Sequence, residues 1–243
     1  MILPGIKLIT FDATNTLMKY RVPPWDYYAI VAEKHGFKVD GKQVKQDFKK
    51  NYTELMKHHP NFGKQSIKWE NWWDEIIKQT FQDKLPISSI NKISKQLIED
   101  FTSTKCFLKA NGCDQLLELL SKNGIALGVI SNFDPRLHKI LNNLNIDNCF
   151  EFILTSYEMG FSKPDKQLFK IAQEKINGVT CGSQCLHIGD DFIKDYEGAV
   201  KAGWNAVLIT KETDFKEPYT CVKIFKNLLD LHNAIESHKL CFA

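Results

Sequence analysis

Ile6-Lys7-Leu8-Ile9-Thr10-Phe11-Asp12-Ala13-Thr14-Asn15-Thr16-Leu17 is the stretch on which the fold turns. Its first half is an apolar, β-prone run, long enough for one buried strand and too short for a helix. The run stops abruptly at Asp12, and two threonines follow in a segment with loop character. Taken alone, this is a strand with a carboxylate at its end. A turn or a helix cap explains such a carboxylate as well as a function does.

Working outward, short apolar runs recur at Ile125 to Ile130, Phe152 to Leu154, Cys185 to Ile188 and Ala206 to Ile209. Each is bounded by Gly, Asn, Asp or Ser and reads as a buried strand. Helical patterns lie between and after them, at Cys113 to Lys122, Pro135 to Leu144, Lys166 to Lys175, Asp195 to Ala202 and Asn227 to His238. Strands alternating with helices of this length predict an α/β fold of βαβ units around a parallel, Rossmann-like sheet. Ligands of such sheets gather at the carboxyl ends of the strands. Asp12, Ser131 and Asp190 all fall at such ends.

Residues 18–105 break the alternation. Only helices are expected between Pro24 and Thr104, near Trp25 to His35, Gly41 to His58, Ser66 to Asp83 and Ile87 to Phe101. The spacing predicts a four-helix bundle inserted after the first strand. The chain then divides into a core of residues 1–17 and 106–243 and an insert of residues 18–105. Trp25, Trp69, Trp72 and Trp73 all lie in the insert. Trp69, Trp72, Trp73 and Ile76 share helical spacing, which suits an apolar packing face; one of the tryptophans facing a cleft is the sharper alternative.

Composition narrows the class. The chain has 243 residues, 43% of them hydrophobic and 25% charged, enough to bury a full core. No stretch approaches the roughly 18 apolar residues of a membrane span, and Met1 to Leu8 lacks the features of a secretory signal. A cytoplasmic, soluble protein is expected, with a mitochondrial or nuclear pool left open. The net charge of +3 is too near balance to argue for nucleic acid. The insert carries sixteen basic and eleven acidic groups. That excess suits an anionic small ligand, and a solvated Lys-rich helical surface accounts for it equally. The seven cysteines include no CxxC pair, which favours reduced thiols over zinc or disulfides. The terminal Cys241-Phe242-Ala243 does not match a prenylation signal.

Three further segments carry chemistry. Gly128-Val129-Ile130-Ser131-Asn132 puts a hydroxyl at a strand end, although Ser-Asn there is ordinary turn chemistry. Ser162-Lys163-Pro164-Asp165 precedes a helix. His187-Ile188-Gly189-Asp190-Asp191-Phe192-Ile193-Lys194-Asp195 packs three carboxylates into six residues, a costly cluster unless a cation or a cationic side chain is present. His187 reads as a packed strand residue, Asn132 as either a phosphate contact or a turn residue. Arg136 and His138 read as the solvent face of their helix.

Together and in this order, the four segments resemble the haloacid dehalogenase superfamily: DxxxT, Ser, Lys-Pro and GDxxxxD. The resemblance runs from Ile6 to Ile209 and implies a five-strand core with the helical insert as its cap. It implies that Asp12 is the nucleophile of a phosphatase working through an aspartyl-phosphate, with Ser131 and Lys163 as its catalytic partners. Thr14, Asn132 and Lys163 would bind phosphate. Mg²⁺ would be held by Asp12, the Thr14 carbonyl and Asp190, with Asp195 or Asp191 orienting its water shell. The substrate class implied is a small phosphorylated metabolite, turned over by a monomer or weak dimer without nucleic acid or membrane partners.

One position departs from the family pattern. Most family phosphatases place a second Asp two residues after the nucleophile, as general acid and base; here that residue is Thr14. Slow turnover is the expectation, since such assistance is worth about 10² to 10⁴ in rate. The alternative is a catalytically degenerate member that keeps a phosphate- and Mg²⁺-binding cleft for sensing or partner binding.

Overall fold

The structure is a computed structural model that describes residues 2–211, 222–240 and 242. Cys221, Cys241 and the reading of the C-terminal tripeptide lie outside the described residues. The chain runs β1 (Leu8–Phe11), β2 (Met18–Tyr20), α1 (Pro24–Lys34), α2 (Gly41–His58), a short turn α3 (Pro60–Gly63), α4 (Lys68–Phe81) and α5 (Ile87–Asp100). It continues through β3 (Phe107–Lys109), α6 (Cys113–Lys122), β4 (Ala126–Ser131), α7 (Arg136–Asn143), β5 (Phe152–Thr155), α8 (Ser156–Met159) and α9 (Lys166–Glu174). Last come β6 (Cys185–Gly189), a π-helical turn (Phe192–Glu197), α10 (Gly198–Lys201), β7 (Asn205–Ile209), β8 (Ile224–Phe225) and α11 (Leu228–Glu236).

Six strands form one parallel sheet in the order β5-β4-β1-β6-β7-β8. The near-continuous apolar character of β1, β4 and β6 follows from burial on both faces, as a parallel sheet flanked by helices requires. Five strands were expected. The sixth, β8, is two residues long and joins by pairing Leu208 with Ile224, a backbone event that no side-chain pattern announces. From β1 the chain steps outward through β4 to β5, then crosses back to β6 and on to β7 and β8. The order therefore reverses around β1, and the loops after β1, β4 and β6 leave from three adjacent strands. Such a switch point opens a crevice at the strand ends.

The described residues cluster into two compact units. One takes in the chain up to Lys19, Lys109–Asn132 and everything from Asn145 on; the other is Tyr20–Leu108 with Phe133–Leu144. β2 and β3 pair with each other where the chain passes between the units. The helical unit contains α1, α2, α4, α5 and, from its second segment, α7, together with the turn α3, in which Asn61 and Phe62 take left-handed φ angles of 50° and 55°. Trp72 and Ile76 are fully buried there, as the helical spacing predicts. Trp73 is only half-buried and spends its indole N–H on Asp134 Oδ2 at 2.8 Å.

Arg136 overturns its expected solvent position, while His138 is exposed as expected. The Arg136 guanidinium is buried, donating to Asp134 at 2.9 and 2.7 Å and lying over the rings of Trp69 and Trp73. Asp134 has no exposed surface, so its charge demands a cation, and a planar guanidinium both pairs with it and stacks on indoles. Among the described cysteines none is in a disulfide, and burial pushes the thiols of Cys106, Cys113 and Cys185 up to about 12. No helix among the described residues is long and apolar enough to cross a membrane.

Candidate active site

Asp12 leaves the end of β1 with its backbone N–H donated to the Ile188 carbonyl at 2.9 Å. The loop behind it closes on itself: the N–H groups of Leu17 and Met18 both reach the Ala13 carbonyl at 2.9 Å. Asn15 sits at the apex with φ 62°, a left-handed conformation that Asn tolerates better than most residues. From there its amide donates to Asp190 Oδ2 at 3.1 Å.

Lys163 enters from the loop before α9, after β5, and follows Ser162 across to a cis Lys163–Pro164 peptide. Its ammonium is buried and all three of its N–H donors are used. They go to Asp12 Oδ1 at 2.7 Å, the Ile130 carbonyl at 2.7 Å and Asp195 Oδ1 at 2.6 Å. The backbone of the same lysine is gripped by Asn132. The Asn132 amide oxygen accepts from the Lys163 N–H at 2.7 Å, and its NH₂ donates to the Lys163 carbonyl at 2.9 Å. Both ends of that amide are thus spent on holding Lys163. Ser131 ends β4, the strand paired with β1, and is buried.

Asp190 and Asp191 follow β6 and diverge. Asp191 caps the π-helical turn, its Oδ1 accepting from the N–H groups of Ile193 and Lys194 at 3.0 and 2.9 Å. Its carbonyl accepts from both Asp195 and Tyr196, the wide pitch that turns this segment into a π-helix rather than the regular helix expected from Asp195. The turn aims Asp195 back at β6. A Cβ on Gly189 would fall on the Asp195 carboxyl carbon, so only glycine permits that approach. Asp195 Oδ2 then accepts from the Asp191 N–H at 2.9 Å.

Oxygen atoms of Asp12, Asp190 and Asp195 lie within 4.8 Å of one another. Of the two residues considered for the third position, the structure brings Asp195, and not Asp191, to the cluster. Charge is unequally answered within it. The Lys163 ammonium beside Asp195, with His187 as a further donor, holds that carboxyl well below the usual range despite its burial. Burial pushes the Asp12 carboxyl up, with Lys163 opposing. Among the described residues no cation pairs with Asp190; burial, then the Asp12 charge, push it up to about 7. An under-compensated set of hard carboxylate oxygens fits a divalent cation such as Mg²⁺.

Two residues of this site were not visible as such in the sequence. His187 is fully buried, as a packed strand residue should be, yet both ring nitrogens are bonded: Nδ1 with Thr10 Oγ1 at 2.8 Å, Nε2 with Asp195 Oδ1 at 3.2 Å. Burial lowers its pKa, with Asp195 opposing. The signal that could have found the pair is a polar residue in each of two apolar strands.

A parallel sheet with its switch point at β1, carrying a carboxylate cluster gripped by one buried lysine, defines a class. The chain belongs to the haloacid dehalogenase-like hydrolases, whose family pattern matches residues 6–203. It is 33% identical to Rhythmically expressed gene 2 protein of Drosophila melanogaster, over 96% of this chain and 96% of that one. It is 32% identical to Haloacid dehalogenase-like hydrolase domain-containing protein 3 of Mus musculus, over 84% of this chain and 82% of that one. The HAD-hydrolase YfnB of Bacillus subtilis, solved bound to magnesium, shares the fold. Its TM-score is 0.68, at 15% identity, over 95% of this chain and 99% of that one.

Proposed function

We propose that the protein is a slow, Mg²⁺-dependent phosphatase of a small phosphorylated metabolite, working through an aspartyl-phosphate on Asp12. The observation that carries this reading is the lopsided charge of the site. Lys163 holds Asp12 through Oδ1 alone, and among the described residues no hydrogen bond reaches Asp12 Oδ2. That oxygen is the nucleophile, and the grip on Oδ1 fixes its direction of approach. Asp12, Asp190, Asp195 and the Thr14 carbonyl supply oxygen ligands for the cation or its waters. Bound there, Mg²⁺ neutralises phosphate charge so that a carboxylate can approach a dianion.

Lys163 remains beside Asp12 as its charge passes to the phosphoryl group, and Ser131 donates to a phosphoryl oxygen. Asn132 serves this chemistry indirectly, by holding the Lys163 backbone. Thr14 cannot act as a general acid near neutral pH, so the leaving oxygen departs without a proton from that position. Turnover is therefore slow for alkyl phosphates and faster for good leaving groups. The helical unit, residues 18–105 in this reading, serves as the cap that selects substrate, and its basic surplus favours an anionic ligand.

Beryllium fluoride with Mg²⁺ tests the nucleophile. The wild-type protein is expected to form a complex detected by fluorine NMR, and Asp12→Asn to lose it. Equal binding by both proteins rejects Asp12 as nucleophile, and no binding by either leaves the degenerate, non-catalytic alternative.

A further inference from the structure

Thr10 and His187 are register partners across β1 and β6, and neither has exposed surface. Their strand neighbours Ile9, Phe11, Leu186 and Ile188 are all apolar and buried. A polar pair in such a place destabilises the fold unless its hydrogen bonds are made. The direction of each bond follows from chemistry. Asp195 Oδ1 already accepts from the Lys163 ammonium, so as a carboxylate oxygen it can only accept from His187 as well. His187 Nε2 therefore carries a proton. A second proton on Nδ1 would bring a buried imidazolium to the same oxygen as the buried ammonium. Nδ1 is thus a lone pair, and the Thr10 hydroxyl donates to it.

The consequence reaches the metal side of the site. An ionised carboxylate offers about four lone-pair positions. Three on Asp195 are filled, by Lys163 and His187 on Oδ1 and by the Asp191 N–H on Oδ2. What remains is directed acceptor capacity on Oδ2. We propose that Thr10 and His187 are positioning residues: the Thr10 hydroxyl, donating to Nδ1, holds the plane of the His187 ring, and the Nε2–H that Asp195 demands then fixes which lone pair of Asp195 stays free for the cation or its water. The inference rests on the reading of Asp12, Asp190 and Asp195 as the cation site. Partners of metal-ligand carboxylates commonly matter about 10- to 100-fold in metal affinity or activity.

The test uses the full chain. Long-range proton–nitrogen NMR of the nitrogen-15-labelled, metal-free protein reads the tautomer of the ring, identified as the signal missing from His187→Gln. The wild-type ring is expected as neutral Nε2–H. Thr10→Val, isosteric but without the hydroxyl, is expected to keep the Nε2–H tautomer, to move the Nδ1 resonance to that of an unbonded lone pair and to weaken Mg²⁺ affinity about 10-fold by calorimetry. Thr10→Ser restores the wild-type Nδ1 resonance. A wild-type ring that is Nδ1–H or doubly protonated overturns the proposal. So does a Thr10→Val protein whose Nδ1 resonance, or whose measurable Mg²⁺ affinity, is that of the wild type. If the wild-type protein binds no Mg²⁺ at all, the phosphatase reading fails; the metal-free Nδ1 resonances of wild type and Thr10→Val then decide the positioning chain alone.

Discussion

At the scale of single residues, Asp190 and Thr14 carry the sharpest expectations. In the metal-free protein burial and the Asp12 charge push Asp190 up to about 7, far above the usual carboxylate value. Between those two pH values the folded state holds a proton that the unfolded state releases. Stability from this group is therefore complete at acid pH and is lost as pH rises to about 7. Asp190→Asn should remove that loss. Urea unfolding of both proteins in chelator, followed across this range, is expected to show the variant gaining on wild type as pH rises. Parallel curves would contradict the assignment. At residue 14 the expectation is kinetic. Thr14→Asp should raise turnover of an alkyl phosphate by about 10² or more, and that of p-nitrophenyl phosphate much less, since only the first needs a protonated leaving oxygen. Equal gains on both substrates would remove the missing acid as the cause of slow turnover. The residues of the cluster were legible as types at strand ends. Their unequal electrostatics were not, because Lys163 chooses Asp12 and Asp195 over Asp190 only through geometry.

Elements behave less independently than their sequence periods suggest. The π-helical turn after β6 shows why the helix start was misplaced. Asp191 offers its side chain as a cap to Ile193 and Lys194 and its carbonyl to two successive N–H groups, so winding begins at Phe192 and Asp195 swings inward. Helix α7 was read correctly in extent, within a residue at each end, and wrongly in orientation at Arg136. A guanidinium that stacks on Trp69 and Trp73 while pairing with buried Asp134 buries a face that periodicity assigns to water. Arg136→Met keeps the bulk and leaves the Asp134 carboxylate without its cation. A loss of about 3 to 5 kcal/mol in unfolding free energy is expected, the usual result of breaking one half of a buried pair. A loss below about 1 kcal/mol in denaturant titration would show that the Trp73 indole and the backbone N–H of residue 136 suffice for Asp134.

At the scale of the whole molecule, the proposed cation site couples metal binding to folding. Mg²⁺ that binds only the folded protein should stabilise it by about 2.7 kcal/mol at 100 times its Kd. Thermal unfolding over a Mg²⁺ series is expected to show a rising midpoint for wild type and a flat one for Asp190→Asn. The same variant is thus more stable than wild type in chelator at alkaline pH and gains nothing from the metal. A rising midpoint in the variant would place the cation elsewhere. Strand positions, the helical insert and the four motif segments followed from the sequence alone. Apolar runs of strand length that alternate with helices fit a parallel sheet covered on both faces, and that much is local. The chain itself could not say that Asn132 grips a lysine 31 residues away, or that Thr10 meets His187 across 177. Those pairings depend on the strand register and on one π-turn. They arise because a buried polar atom must find a partner, and only the folded chain determines which partner is within reach.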